Sequence, residues 1–397
     1  PPPPPTTLSD DRRQRQMCIR DSPYCATLLG YLGAEVIRIE RPGGGEDRFI
    51  APLGDSDTGS VMMQTGCNKQ SLTLNFREPD SREILDRLLA RADVVVANLP
   101  PDALGRLGLD YARISAINPR LVLTSLTAFG TEGPFASRGG FDGIGQAMSG
   151  AMFMSGTPGN PAKAAAPYVD YSTAVLAAFG TLAALFERER SGEGQEVQGS
   201  LLGTALAVFN SHLIEEGGLG IGRQPTGNRV QTSGPSDGFA TRDGHVLLHV
   251  VGNGIFRRLA AAIGAEDWLD DPALTTDTER GDARDRLAER VGAWCAERTT
   301  TEILDAMAEA GVPAGPVLTL AESLRHPQVE ALGALQRVSV PDTALSVPVA
   351  DLPIRMSRTP GGIENPPPTA GQHTEAILGQ LGFDAGEIAR LQRSGVV

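Results

Sequence analysis

One carboxylate stands where a long apolar helix should begin. In Pro167-Tyr-Val-Asp170-Tyr-Ser-Thr-Ala, Asp170 comes just before apolar side chains at Val175, Leu176, Phe179, Leu182, Ala183 and Phe186. That i, i+3, i+4, i+7 spacing predicts a helix with one apolar stripe. Pro167 closes it on the left, and Gly192 and Gly194 close it on the right. The free N–H groups and the dipole of a helix N-terminus favour negative charge. By residue type and position alone, Asp170 reads as a helix N-cap.

Other residues invite chemistry and are less well supported. Gly234-Pro-Ser236-Asp-Gly238 matches G-x-S-x-G. A nucleophile elbow needs a strand before it and a helix after it, whereas here a strand-like segment follows. His245 and His249 flank Val-Leu-Leu, which reads as strand. On a strand the two rings stand about 13 Å apart at ~3.3 Å per residue, too far to share one metal ion. Gly218, Gly220 and Gly222 form G-x-G-x-G, but Arg223 falls where the dinucleotide fingerprint needs its last glycine, and no strand leads in. Cys18, Cys25, Cys67 and Cys295 are scattered without a CxxC pair, so neither a zinc ribbon nor a disulfide framework is expected. A reducing cytoplasm fits that pattern.

Composition bounds the rest. A chain of 397 residues with 41% apolar and 21% charged residues is ordinary for a globular protein of two domains. No apolar run reaches the length of a bilayer span, so a membrane protein is not expected. The net charge of −13 argues against nucleic acid, which needs a basic stripe. It leaves room for a small anion held by a few local arginines.

The elements alternate along the chain. Tyr24–Leu32 reads as a helix, 34–40 as a strand, Ser71–Asn75 as a strand and Pro79–Arg91 as an amphipathic helix. Asp93-Val-Val-Val-Ala97 and Leu121–Leu126 are unbroken strands of the kind buried in parallel sheets. Strand and helix in turn predict a doubly wound α/β fold. After Leu202 the periodicity weakens into a glycine-rich run, read as a linker. Phe239–Val251 predicts a hairpin turning at Asp243-Gly244. Helices are expected over Gly254–Ile263, Ala283–Glu297 and Thr300–Ala310. Residues 1–22 begin with five prolines, do not alternate and have too little apolar content for a core strand; they are read as an anomalous or non-native N-terminus.

Taken together, these stretches resemble a known family. Val169-Asp-Tyr-Ser-Thr-Ala174, followed by Ala184-Leu-Phe-Glu-Arg-Glu-Arg-Ser-Gly-Glu-Gly-Gln195, is similar to the central signature of the family III CoA-transferases. That family includes formyl-CoA and carnitine CoA-transferases and the α-methylacyl-CoA racemases. Leu32–Gly43, Gly311–Val317 and the tail Pro366–Phe383 resemble further blocks. The resemblance implies a Rossmann-like large domain, a smaller α+β domain and an interlocked homodimer. The expected division is 23–200 for the large CoA-binding domain, 201–224 for the linker, 225–325 for the small domain and 326–397 for a segment returning to the large one.

It also implies roles. Asp170 becomes the nucleophile. Arg41 matches an adenine-end contact, and Asn68–Arg77, carrying Lys69, Leu74, Asn75 and Arg77, matches a CoA-lining block. Asn98 matches the start of an Asn-Phe-Arg-Pro-Gly stretch, although this chain has Pro100 for the arginine and Asp102 for the glycine. Arg106 lies in a well-matched Leu-Gly-Arg-Leu-Gly-Leu, and Gly139-Gly140-Phe141-Asp142 matches a loop near the thiol end. Arginines suit CoA phosphates. The implied substrates are an acyl-CoA thioester and a small carboxylic acid, with no metal and no permanently bound cofactor.

Racemases of this family resemble Gly-His-Asp where this chain has Gly140-Phe141-Asp142. They need that histidine for α-proton exchange, and phenylalanine carries no proton. Transfer is therefore the leading expectation. A racemase or epimerase, and a catalytically silent CoA-binding relative, are the alternatives. Glycine-rich segments 217–222 and 252–254 are candidates for oxyanion donors or for closing the site.

Overall fold

The computed structural model of the chain describes Gln16–Met17 and residues 23–397. The expectation for residues 1–22 falls, apart from Gln16–Met17, outside the described residues. Two compact units are present. The first comprises residues up to Ser149, Ala165–Leu213 and Glu330–Val397; the second comprises Gly150–Ala164 and Ile214–Val329.

Six strands organise the first unit: β1 (Gln16–Met17), β2 (Val36–Glu40), β3 (Lys69–Thr73), β4 (Val94–Ala97), β5 (Val122–Thr127) and β6 (Glu196–Ser200). They pair in parallel in the orders β1-β2-β3 and β4-β5-β6. β1 also lies beside β4. The resulting run, 3-2-1-4-5-6, is the doubly wound order. Strand residues alternate between two apolar layers, as the pleat requires. Val95, Ala97 and Leu123 join one core with the Ser81–Leu89, Thr374–Gln380 and Ala385–Arg393 helices. Val94, Val96 and Val122 join the other with the Pro23–Tyr31 and Tyr168–Ser191 helices. Unbroken β-branched strands are what a sheet covered on both faces needs.

The C-terminal segment belongs to this unit. β10 (Leu335–Ser339) and β11 (Ser346–Ala350) form an antiparallel hairpin, and the chain then returns to β3. The Asn68 carboxamide takes the backbone N–H groups of Glu364 and Asn365 and donates to Gly362 O. Asn75 N donates to Val396 O at 2.8 Å.

In the second unit, β7 (Asp237–Ala240), β8 (His245–Leu248) and β9 (Ala314–Pro316) form an antiparallel sheet. Its apolar face packs on Phe256, Leu259, Leu287, Val291, Ile303 and Met307 from three helices. The expected hairpin turns where Thr241 N donates to Gly244 O.

Two local expectations differ from the structure. The stretch read as a linker holds two helices, Leu201–Val208 and Asn210–Leu219, and irregular chain begins only at Gly220. Ser200 caps the first by accepting from Gly203 N, a local signal hidden by the glycines that follow. The Tyr168–Ser191 helix is also long and apolar enough to cross a membrane by length and composition, which the reading of apolar runs had missed. Its inner face, Ala174, Ala177, Ala178, Thr181 and Ala184, is buried. Thr181 Oγ1 bonds with Thr124 Oγ1 of β5 at 2.6 Å.

Candidate active site

Parallel strands bring their C-terminal ends to one edge, where open α/β sheets bind ligands. Arg41 directly follows β2. Leu74, Asn75 and Arg77 follow β3, and Asn98 follows β4. Arg106 lies on the Pro101–Leu107 helix just beyond, and Gly139–Asp142 end the loop that leaves β5. Lys69 departs from this grouping: it opens β3 at the opposite edge. It is buried, and its ammonium donates to Pro23 O at 2.7 Å. The expectation of a CoA contact there is corrected, because a charge committed to an internal carbonyl does not face a phosphate. A separate cavity of about 450 Å³ lies at that far edge, lined in part by Val36, Asn68, Lys69 and His373.

Leu74 is fully buried in the core, and its backbone N–H donates to Glu40 O at 2.8 Å, so neither its side chain nor its N–H is open to a ligand. Asn75 donates its carboxamide to Gly395 O and accepts from Arg77 N. Arg41, Arg77 and Arg106 are exposed. Arg41 Nε donates to Gly44 O at 2.9 Å.

Asn98, Gly139, Gly140 and Phe141 come together around a cleft of about 280 Å³, with Thr127 at the end of β5. Arg138 also lines it, with its guanidinium 3.9 Å above the Phe135 ring. Phe135 meets Phe129 edge-on at 5.4 Å. The sequence reading missed Arg138, though it directly precedes the matched glycines. Gly140 is required as glycine: a Cβ there would come within 2.9 Å of Ala128 Cβ.

Asp170 is the third residue of the 24-residue Tyr168–Ser191 helix, whose N-cap is Pro167. The N-cap reading is therefore corrected. The cap comes from another element. Asp142, at the start of the Asp142–Met148 helix, is buried, and its Oδ2 accepts from Val169 N at 2.7 Å and Asp170 N at 3.2 Å. Its Oδ1 accepts from buried Gln146 Nε2. The half-buried Asp170 carboxylate thus sits in a first turn whose N–H groups are held by a second carboxylate.

Aromatic residues surround this turn. Tyr171 stands edge-on to Tyr24, with ring centroids 4.8 Å apart, and its hydroxyl donates to Gln64 Oε1. Burial, then the neighbouring Tyr24 and the Asp170 charge, push the Tyr171 phenol upward. Burial and Asp142 do the same to Tyr168. Both phenols stay protonated donors at neutral pH. Tyr24 and Gln64 carry no distinctive spacing, so only the fold assigns them to this neighbourhood.

The other motifs are structural. Ser236 is buried, with its hydroxyl donating to Val250 O and accepting from Val250 N, and a strand follows it. His245 and His249 are exposed on the second unit's sheet and its continuation. Among the described residues, no group of three or more His, Cys, Asp or Glu is arranged to hold a metal ion. The glycine-rich segments have committed N–H groups: Gly220 donates to Glu216 O, Gly222 to the Glu216 carboxylate, and Gly252 to Asp277.

The family model described as CoA-transferase family III matches residues 19–374. The succinyl-CoA–D-citramalate CoA-transferase of Chloroflexus aurantiacus is 33% identical over 384 residues, covering 94% of this chain and 94% of that one. The succinate–glutarate CoA-transferase of Agrobacterium fabrum is 32% identical over 369 residues, covering 90% and 92%. A CAIB/BAIF family protein from Brucella suis superposes with a TM-score of 0.81 at 28% identity, covering 94% of this chain and 99% of that chain. The doubly wound sheet, the carboxylate in the first turn of its long helix and these matches agree: the chain belongs to the family III CoA-transferases and is a CoA-transferase.

Proposed function

We propose that this enzyme moves CoA from an acyl-CoA to a small carboxylic acid through covalent intermediates on Asp170. The observation that carries the reading is the Asp170 carboxylate in a helix first turn, half-buried beside the N–H groups that Asp142 holds. Because Asp142 holds the N–H groups of Val169 and Asp170, the capping role does not fall to the Asp170 side chain.

An Asp170 oxygen attacks the thioester carbonyl, the C–S bond breaks, and CoA thiolate leaves a mixed anhydride. The thiolate attacks the aspartyl carbonyl and releases the donor acid, forming an aspartyl-CoA thioester. The acceptor carboxylate attacks that thioester and gives a second anhydride and thiolate. The thiolate then attacks the acceptor's acyl carbon, and the Asp170 carboxylate is restored. The N–H groups of Gly139 and Gly140 have no acceptor among the described residues. They are the donors this reading assigns to the tetrahedral oxyanions. Arg41, Arg77 and Arg106 meet the phosphates of CoA, and Asn75, Asn98 and Phe141 line its path. No resident cofactor is needed. The named reactions of the relatives point to four- and five-carbon dicarboxylic acids as partners.

The active form in this reading is a homodimer. The outer face of the Tyr168–Ser191 helix exposes Phe179 by 71% and Phe186 by 67%, beside Val175, Leu176 and Leu182. A continuous apolar stripe of this kind marks an interface. A sedimentation mass of one chain at micromolar concentration contradicts it.

The chemical test is trapping. Acyl-CoA supplied without an acceptor acid should leave CoA attached to Asp170, and hydroxylamine should convert that thioester to a hydroxamate seen by peptide mass. Turnover with no adduct and no hydroxamate at any residue would sink the covalent route.

A further inference from the structure

We propose that the buried quartet Arg38, Glu40, Asp47 and Arg48 is a positioning device that sets Arg41 for the anionic head of CoA, an inference that rests on reading Arg41 as a CoA contact. All four residues are nearly inaccessible, between 1% and 4% exposed. Two cations and two anions make the set neutral.

Its bonds converge on the short loop that leaves β2. Arg38 grips Asp47 with both terminal nitrogens, at 2.7 and 2.6 Å. Glu40 accepts from Arg48 Nε at 2.8 Å, Arg48 Nη2 at 2.6 Å, Ser71 Oγ at 2.6 Å and Gly45 N at 2.9 Å. Arg38 Nε lies 3.3 Å from the same carboxylate. Arg48 Nη1 donates to Pro368 O at 2.9 Å, tying the loop to the returning C-terminal segment.

Arg41 is coupled to this set through the loop backbone. Its Nε donates to Gly44 O, and the next residue, Gly45, donates to Glu40. Gly44 has φ +90°, and a Cβ there would meet Arg48 Cδ at 2.7 Å. The turn carrying Arg41 is therefore moulded onto the Arg48 side chain. The Arg41 terminal nitrogens have no protein acceptor among the described residues.

A buried ion-pair set is a poor source of stability, since well-packed apolar groups often do as well. What it supplies is a fixed geometry. Here that geometry holds one exposed guanidinium at the C-terminal end of a parallel strand, where phosphate recognition through a planar fork depends on orientation.

The test is a double-mutant cycle on the full-length enzyme with Asp47→Asn, Arg41→Ala and the pair, reading CoA affinity by calorimetry and acyl-CoA kinetics. Asp47→Asn alone should raise the Kd of CoA and the KM of acyl-CoA by about tenfold, with kcat at saturation kept within about twofold. In the Arg41→Ala background the same change should raise neither further. Additive losses, or equal falls in kcat and kcat/KM, would reduce the quartet to a structural role and overturn the inference. Glu40→Gln provides a second arm with the same expectation. If Arg41→Ala leaves CoA affinity intact, the contact and the inference both fail, while transfer by the unmodified enzyme is measured separately and stands or falls by itself.

Discussion

Asp142 Oδ2 lies 2.7 Å from Val169 N and 3.2 Å from Asp170 N, so one carboxylate holds the backbone that presents another. Two acids thereby divide two tasks. Asp142 satisfies N–H groups that a helix start leaves unpaired. Asp170, in the first turn, lies at the positive end of the helix dipole.

Removing that support should be felt twice. Asp142→Ala should lose about 0.5–2 kcal/mol of stability, the usual cost of deleting a cap, and should slow transfer at saturation as the first turn loosens. Asp142→Asn keeps a carbonyl acceptor and should recover most of the stability. Thermal melts together with kcat check both; an alanine variant with unchanged melting and rate would detach Asp142 from Asp170.

Arg41→Ala and Arg106→Ala should each weaken CoA binding while leaving the fold intact, because both side chains are exposed. A lost charge-assisted hydrogen bond costs about 1.5–3 kcal/mol. Calorimetric titration with CoA reads this directly, and unchanged affinity in both variants would remove them from the site.

Acid should loosen the Arg41 loop. Burial pushes the Glu40 carboxyl up, but hydrogen bonds from Arg48, the charges of Arg38 and Arg48 and the Ser71 hydroxyl outweigh it, bringing it down to about 2 from 4.5. A carboxyl depressed on folding contributes stability that is complete above its unfolded value and is lost as pH falls through the folded one. The quartet's contribution should therefore decline between about pH 4.5 and 2. Denaturant melts across that window should show a shallower pH slope for Glu40→Gln than for the parent. Identical slopes would contradict the assignment.

No α-proton should exchange. By the family resemblance, Phe141 stands where racemases carry a histidine, and its side chain is half exposed at the cleft. In heavy water a 2-methylacyl-CoA should retain its α-hydrogen in the presence of enzyme. Enzyme-dependent deuterium uptake would move the assignment toward the racemase.

Much of this was legible in the sequence where one physical signal dominated. Unbroken Val-Val-Val-Ala in β4 marked a strand buried on both faces, and the stripe from Val175 to Phe186 marked the long helix. Separate family blocks named Asn98 and Gly139–Phe141, and the fold brings them to one cleft. Contacts that depend on tertiary geometry were not legible. Nothing local shows that Asp142 caps a helix that begins 26 residues later, at Tyr168, or that Arg48 reaches Pro368. Lys69 was misread because a matched block gives residue order but not sheet edge: a strand's first residue faces away from the ligand side. Residue type and position alone gave Asp170 the cap, because nothing local shows that the capping carboxylate comes from another element.

The central claim is the chemical role of Asp170, and Asp170→Asn tests it most directly. The amide keeps the size of the side chain and forfeits only charge and nucleophilicity. Its stability cost should be modest, up to about 2 kcal/mol for one charge at a partly buried helix N-terminus. Measured with an acyl-CoA and an acceptor acid, the folded Asn variant should show no CoA transfer and no hydroxylamine-sensitive adduct. Full transfer by a well-folded Asp170→Asn enzyme would contradict the account.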